Sequence, residues 1–288
     1  MQLQYLGTSA SEGWPSLFCN CDQCETARLL GRRNIRTRSQ AVIYADGVGS
    51  GSIEDILLID LPPDTYMHVL QHGLRLDRIG HMLVTHSHPD HFTPNELTFR
   101  SGAHVNPAPN FPLNLYGNEH TEDRFNRTFL PMKTHLAQSK WPDIEFHVVE
   151  NFKPFQAGSY TVVPMPASHG WEERCLIYLI ERENKRILYA HDTGIFPEET
   201  FEFIAGKPLD LISLDCTYGS HILDTNHMGL PDTVNVKRRL ETLGCLKSNT
   251  RIVLNHFSHY NGTCYDAMVE LAAPYTMEVS YDGGVWDV

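Results

Sequence analysis

THSHPDH, residues 85–91, sets three histidines and an aspartate within six positions, where the apolar run GHMLV ends. His86 and His88 lie two apart, so in an extended or turning segment their imidazoles face the same way and can meet on one cation. Pro89 sets a turn, after which Asp90 and His91 can reach a second cation close by. Imidazole and carboxylate donors together suit zinc, manganese or iron. Near the start of the chain FCNCDQC brings Cys19, Cys21 and Cys24 together, and near the end NHFSH sets His256 and His259 three apart after the strand-like RIVL. An H-x-x-H pair alone in a loop says little. Whether these two histidines hold one metal, two or none depends on the company the rest of the chain offers.

Those side chains need elements to hold them. QLQYLG, QAVIYA, DILLID, GHMLVTH, LNLYG, EFHVVE, SYTVVPM, CLIYLIE, RILYAHD, DLISLD, RIVLNH and MEVSYDG read as strands, with DGVGSGS as a hairpin tip after the second. CETARLLGR, PDTYMHVLQHG, PEETFEFIAG, LPDTVNVKRRLETLG and CYDAMVELAA read as helices. Strands thus alternate with helices, which is the pattern of an α/β fold. PMPASHG ends a strand at His169, RILYAHD ends one at Asp192 and LNHFSH ends one at His256. Each alone reads equally well as a polar residue satisfied at a strand end. Together they fall on the loop edge of one sheet arrangement, where sites are assembled from many loops. Residues 100–143 are rich in Pro and Asn and poorly periodic, and read as a variable surface insertion or a lid.

Composition narrows the classes. With 288 residues, 41% of them hydrophobic, the chain has the size of one large α/β domain or two small ones. Its apolar runs are strand-length, so no membrane span is expected. The opening MQLQYLGTSA carries no basic or apolar leader pattern, and a cytoplasmic location is expected. A formal charge of −12 argues against a general nucleic-acid binder, whose affinity would rest on neutralising phosphates. Seven cysteines, three of them bunched, read as metal binding rather than as a disulfide framework. Cys175, Cys216, Cys245 and Cys264 read as small core residues.

HxHxDH followed by a later His, Asp and His resembles the metallo-β-lactamase superfamily. The resemblance implies a four-layer αββα sandwich over residues 1–288, with a Cys-rich loop at about 13–38 and an insertion at about 100–143. It implies that His86, His88 and His169 bind one metal, that Asp90, His91 and His256 bind a second, and that Asp192 bridges them. Asp60, ending DILLID, matches the family's first aspartate, which orients a ligand from behind. Here LPPD follows it where a glycine is common, a departure of loop shape more than of chemistry. That assignment uses His256 and leaves His259 without work, while three thiolates are one donor short of a closed tetrahedral site. His259 is therefore expected to complete a structural zinc with Cys19, Cys21 and Cys24; water or another group is the alternative.

FCNCDQC, LDCTY, TNHMG and NHFSHY together resemble the phosphoribosyl 1,2-cyclic phosphate phosphodiesterases of carbon–phosphorus lyase pathways. The Cys-rich opening and RTRSQ are also similar to the B proteins of pyrroloquinoline quinone biosynthesis, a non-catalytic or accessory reading. An RNA-processing endonuclease of the same fold is a further alternative. The expected enzyme is a metal-dependent hydrolase of a small cyclic phosphodiester, with two divalent ions (manganese or zinc, or iron) activating hydroxide. Asp90 is counted in that catalytic group as well as among the ligands. His227 is the candidate general acid for the leaving oxygen, its reference pKa being close to neutral. Asp215 reads as a partner of a ligand or of that histidine, or as a cap. The cluster Arg32, Arg33, Arg36 and Arg38 reads either as a grip on a second phosphate or as a solvated face. A small-molecule substrate and a homodimer complete the expectations.

Overall fold

In the computed structural model all residues are described except 130, 132–141, 171, 223–225, 261 and 262. Part of the expected insertion and Thr225 of TNHMG therefore lie outside the described residues. Two seven-stranded sheets carry the fold. The first runs β14 (Val285–Asp287), β1 (Gln2–Gly7), β2 (Gln40–Tyr44), β3 (Ile56–Ile59), β4 (His81–Leu83), β5 (Leu113–Gly117), β6 (Ile144–Val148). The second runs β13 (Glu278–Val279), β12 (Leu246–Asn255), β11 (Leu209–Asp215), β10 (Lys185–Ala190), β9 (Leu176–Arg182), β8 (Tyr160–Pro166), β7 (Phe155–Ala157). β3 to β6 are mutually parallel, and so are β10 to β13, while the outer hairpins are antiparallel.

The layers follow from the two-residue period of a strand. Ala41 and Ile43, Leu57 and Ile59, Ile187 and Tyr189, and Leu211 meet between the sheets in one core. Their neighbours Val42, Ile56, Leu58 and Met82 turn the other way and join Phe125 and Phe129 of α3 (Glu119–Phe129). On the far side Leu188, Ala190, Ile212 and Leu214 pack with α4 (Glu198–Ile204), α5 (Leu230–Thr242) and α6 (Tyr265–Ala272). Both faces of each sheet are covered, so these strands are apolar throughout rather than alternating. The expected four-layer αββα sandwich is the observed one. α1 (Asp22–Leu30) and α2 (Thr65–His72) complete the helices foreseen from sequence.

Two short strands and one helix were not expected. β7 and β14 have three residues each, too few to show a period. α3 lies inside the expected insertion; only Thr121, Phe125 and Phe129 of its eleven residues are buried, and two apolar positions in a polar segment make a faint pattern. Cys175, Cys216 and Cys245 are buried as expected, whereas Cys264 is half-exposed where it precedes α6. Among the described residues no helix is long and apolar enough to cross a membrane.

Candidate metal centre

The carboxyl ends of both parallel strand groups open onto one edge, which is where α/β folds gather functional loops. Asp60 follows β3, the THSHPDH loop follows β4, His169 follows β8, Asp192 follows β10 and His256 follows β12. Three of these residues leave their strands in the left-handed backbone region: Asp60 at φ 66°, Asp192 at φ 54° and His256 at φ 66°. A non-glycine residue held there costs about 1–2 kcal/mol. Such conformations persist where surrounding contacts over-determine them, and they gather at functional sites.

Those turns bring distant donors together. One donor atom each from His86, His88, His169 and Asp192 lie within 4.8 Å of one another, and so do donors of Asp90, His91, Asp192 and His256. Asp192 belongs to both sets. His86 Nε2 is 2.9 Å from His88 Nδ1, and His88 Nδ1 is 3.4 Å from His169 Nε2. His91 Nε2 is 3.3 Å from Asp90 Oδ2, 3.3 Å from His256 Nε2 and 3.0 Å from Asp192 Oδ2. Nitrogens about 2.0–2.1 Å from a shared tetrahedral ion lie about 3.3 Å from each other. Asp192 Oδ1 is buried and lacks a hydrogen-bond partner among the described residues, although His169 Nδ1 and His227 Nδ1 each come within 3.2 Å. A buried carboxylate oxygen among converging imidazoles fits a cation, and the donor set suits a divalent one.

The surroundings fix ring orientation. Asp60 Oδ2 accepts from His91 Nδ1 at 2.8 Å, which turns Nε2 toward the cluster. Asp60 also accepts from the backbone and hydroxyl of Thr85. Asp215 sits behind the other flank: it accepts from the backbone N–H groups of Thr217 and Met228, and its Oδ2 lies 3.3 Å from His227 Nδ1 and 3.5 Å from His256 Nδ1. Glu173 holds the histidine loop, accepting from the backbone N–H and the hydroxyl of Ser87. Burial pulls His91 down, yet Asp90, Asp60 and Asp192 hold it well above the usual imidazole range. Burial raises Asp192, but His256, His169, His86 and His91 hold it well below the carboxylate range. Burial lowers His169 to about 4, and His256 and His88 also fall. Neutral imidazoles and ionised carboxylates are the forms that bind metal, so His88, His169, His256 and Asp192 are in that form, while His91 must give up its proton to an incoming cation.

Cys19, Cys21, Cys24 and His259 form a separate group, again with donors within 4.8 Å of one another. Cys21 Sγ is 3.5 Å from His259 Nδ1, matching about 3.5 Å for sulfur and nitrogen on one tetrahedral zinc. Cys21 stands immediately before α1; the Cys24 backbone N–H and then His259 push its thiol down to about 6. Burial pushes Cys24 up to about 11. His256 and His259, three apart in sequence, thus face two different clusters.

A cavity of about 310 Å³ opens beside the histidine and aspartate cluster, lined by His88, Asp90, His227 and His256 together with Glu12, Tyr218, Ser258 and Tyr260. A larger cavity, about 420 Å³ and lined by Leu61, Ile79, Met82, Leu97 and Phe99 among others, lies on the outer face of the first sheet and has no histidine or cysteine in its wall. Chemistry selects the smaller one. Of the two readings of the arginine cluster, the solvated face holds for Arg32 and Arg33, which are exposed, and neither holds for the buried Arg36. Arg36 is buried, donates to Thr8 Oγ1 and the Ser280 carbonyl, and stacks on Phe257. Arg38 pairs with Asp64 of LPPD and donates to the Ser11 carbonyl, and Arg33 stacks on Tyr281 and Tyr265. These guanidiniums tie the N-terminal loop down, and none of the four lines the cavity. Glu12 and Ser258 had no signal in the sequence beyond their nearness to the Cys loop and to NHFSH.

Two mixed sheets between helices, with a histidine and aspartate cluster at their shared carboxyl edge, define the metallo-β-lactamase fold, a class that implies divalent metal ions. The family model described as the beta-lactamase superfamily domain matches residues 57–257, and the chain belongs to that family. Coenzyme PQQ synthesis protein B of Methylobacterium radiotolerans is 29% identical over 175 residues, which are 58% of this chain and 52% of that protein. The chain therefore matches about half the length of that relative. Among solved structures, a diphosphatase from the PhnP family superposes with a TM-score of 0.75 at 22% identity, over 99% of this chain and 96% of the other. Zn(2+)-bound PqqB from Methylobacterium extorquens gives 0.73 at 17% identity over all of both chains. The short form of human tRNase Z gives 0.65 at 16% identity, over 100% and 99%. At such identities the likeness concerns the fold.

Proposed function

We propose that the protein is a metal-dependent phosphodiesterase acting on a small phosphodiester. In this reading His86, His88 and His169 would hold one divalent ion and Asp90, His91 and His256 a second, with Asp192 available to both. Such a pair supplies Lewis acidity toward phosphoryl oxygens and makes water a nucleophile near neutral pH. The residues divide the remaining work. Asp60 fixes the tautomer of His91 directly, the Thr217 hydroxyl, held by Asp215, fixes that of His256, and Glu173 holds the loop that carries four ligands. His227 turns Nδ1 toward Asp215 and Asp192, so Nε2 is the ring nitrogen through which a proton can pass to a leaving alkoxide. That placement of His227 on the cavity wall is the observation that carries the reading, because lactone or lactam opening has no need of it.

Manganese, zinc or iron all suit the imidazole and carboxylate set, and zinc suits the closed Cys19, Cys21, Cys24 and His259 site. The proposed partner is a small molecule, for which a cavity of about 310 Å³ is large enough. The phosphoribosyl 1,2-cyclic phosphate expected from the resemblance remains the first named substrate to try. A homodimer is also proposed: Leu17 and Phe18 of the Cys loop and Leu29 and Leu30 of α1 are exposed apolar side chains that association would cover. Sedimentation at micromolar concentration should give twice the chain mass. The similarity to coenzyme PQQ synthesis protein B favours an accessory role as the second reading. Assaying the metal-loaded protein with bis(p-nitrophenyl) phosphate, p-nitrophenyl phosphate and a lactone separates these: diester turnover is expected, and lactone turnover alone, or no turnover, counts against the proposal.

A further inference from the structure

Next to the proposed metal ligands, the core between the sheets ends in a row of polar side chains. Tyr189, Leu211 and Val253 belong to the apolar core. Two residues further along each segment stand His191, Ser213 and Asn255, all buried. They spend their polar atoms on one another. The Ser280 hydroxyl donates to Asn255 Oδ1 at 2.5 Å, which leaves the Asn255 amide N–H to donate to His191 Nδ1 at 3.1 Å. Nδ1 is thus the acceptor of the ring, and Nε2 donates to Ser213 Oγ at 2.5 Å. Ser213 also bonds the Tyr5 hydroxyl, which comes from the first sheet.

The bond between His191 and Asn255 joins strands that the sheet itself does not join. β11 lies between β10 and β12, so those two strands stand about 10 Å apart and share no ladder. His191 spans that gap, bonding Ser213 on β11 and Asn255 on β12. Each end of the span adjoins a metal donor. His191 precedes Asp192 and Asn255 precedes His256, and both donors leave their strands with positive φ. Beyond Asp192, the Thr193 backbone N–H lies 3.4 Å from Asp215 Oδ2, and the Thr193 hydroxyl accepts from the Ser168 backbone N–H at 2.9 Å. The shared carboxylate is therefore held from both sides along the chain. Burying polar groups is costly unless they are hydrogen-bonded, and a fully bonded buried network favours one geometry over its neighbours.

We propose that His191 and Asn255 are positioning residues: their hydrogen bond ties the end of β10 to the end of β12 and so sets Asp192 against His256, keeping the shared carboxylate between the two donor sets. This role rests on the metal-pair phosphodiesterase reading. The full chain loaded with manganese tests it, because two manganese ions about 3.5–4 Å apart couple magnetically and give a paramagnetic resonance spectrum distinct from that of an isolated ion. His191→Phe, Asn255→Leu and the double variant remove the bond and keep a bulky side chain at each position. Each single variant should lower kcat for bis(p-nitrophenyl) phosphate about 10–100-fold and weaken the coupled signal, with KM and metal count little changed. The double variant should lose no more than the worse single one, since both break the same bond. Wild-type kcat and coupling in variants whose Tm has fallen would make the pair a support of the fold only and overturn the proposal. Should a single variant not fold, the double variant, which removes both partners together, decides. Lost coupling at a native Tm is expected of it; retained coupling, or failure to fold, overturns the proposal. A wild type without coupled signal or diester turnover removes the metal-pair reading beneath, whereas an active, coupled wild type with unchanged variants removes only the role of His191 and Asn255.

Discussion

Two donor clusters lie at the same edge of this molecule and are built in opposite ways. The histidine and aspartate cluster draws its side chains from the ends of strands in both sheets, carries a rank of carboxylates behind its imidazoles, and faces a cavity. The cysteine cluster takes three donors from a stretch of six residues and one from the loop after β12, and His259, its histidine, is buried. The first arrangement leaves room for a substrate; the second closes on itself. Closed sulfur-rich sites hold structure, and sites with an open position do chemistry. His256 and His259 share the loop after β12, so the two clusters are joined through the backbone of residues 256–259.

Removing donors one cluster at a time should separate these roles. Asp192→Asn takes away the shared donor and should lower kcat by about a thousandfold or more while leaving the cysteine-bound ion in place, read by elemental analysis beside the diester assay. Retained activity would mean that the two donor sets do not work as a unit. His227→Ala should cost about 10²–10⁴ in kcat with the metal count unchanged, as for loss of a general acid; a fall in metal content instead would make it a ligand. Asp60→Asn frees the His91 ring and should weaken metal affinity or activity about 10–100-fold, seen as a higher metal concentration for half-maximal turnover.

On the other side of the comparison, Cys21→Ser should lose one zinc and lower Tm by about 10 °C, the scale of a few kcal/mol in a domain of this size. Diester turnover should survive in whatever fraction stays folded. The smallest effect concerns the support beneath Asp60. His68 is buried, donates from Nδ1 to Gln40 Oε1 at 2.5 Å, and Gln40 in turn donates to the Asp60 carbonyl. Burial lowers its imidazole to about 4, so the folded chain keeps it neutral where the unfolded chain takes up a proton. That contribution is complete above about pH 6.5 and is lost as pH falls from there to about 4, by up to about 1.4 kcal/mol per pH unit. Urea midpoints measured across that window should drop in the wild type and flatten in His68→Gln.

The open cluster was largely legible before any coordinates, because each donor sits where a strongly apolar run stops, and strand ends converge when strands are parallel. The three thiolates of the closed cluster were legible from their spacing, whereas His259 followed only once the family resemblance had assigned His256 to the open cluster. α3 was not, since two phenylalanines in a polar segment carry little period, and neither was the fate of the arginines. Which carboxylate Arg38 meets, or that Phe257 covers Arg36, depends on contacts between segments far apart in the chain. Glu12 escaped notice for the same reason: one glutamate in a loop has no pattern, and it joins a cavity wall that exists only once residues 12, 218 and 258 are brought together.

The claim on which the account turns is that the histidine and aspartate cluster holds a pair of ions that hydrolyse a diester. Anomalous diffraction from crystals of an active preparation, recorded at the manganese, iron and zinc edges, tests it directly. Two peaks should flank Asp192, with a third, zinc only, among Cys19, Cys21, Cys24 and His259. A preparation that turns over the diester with one peak or none beside Asp192 would contradict it.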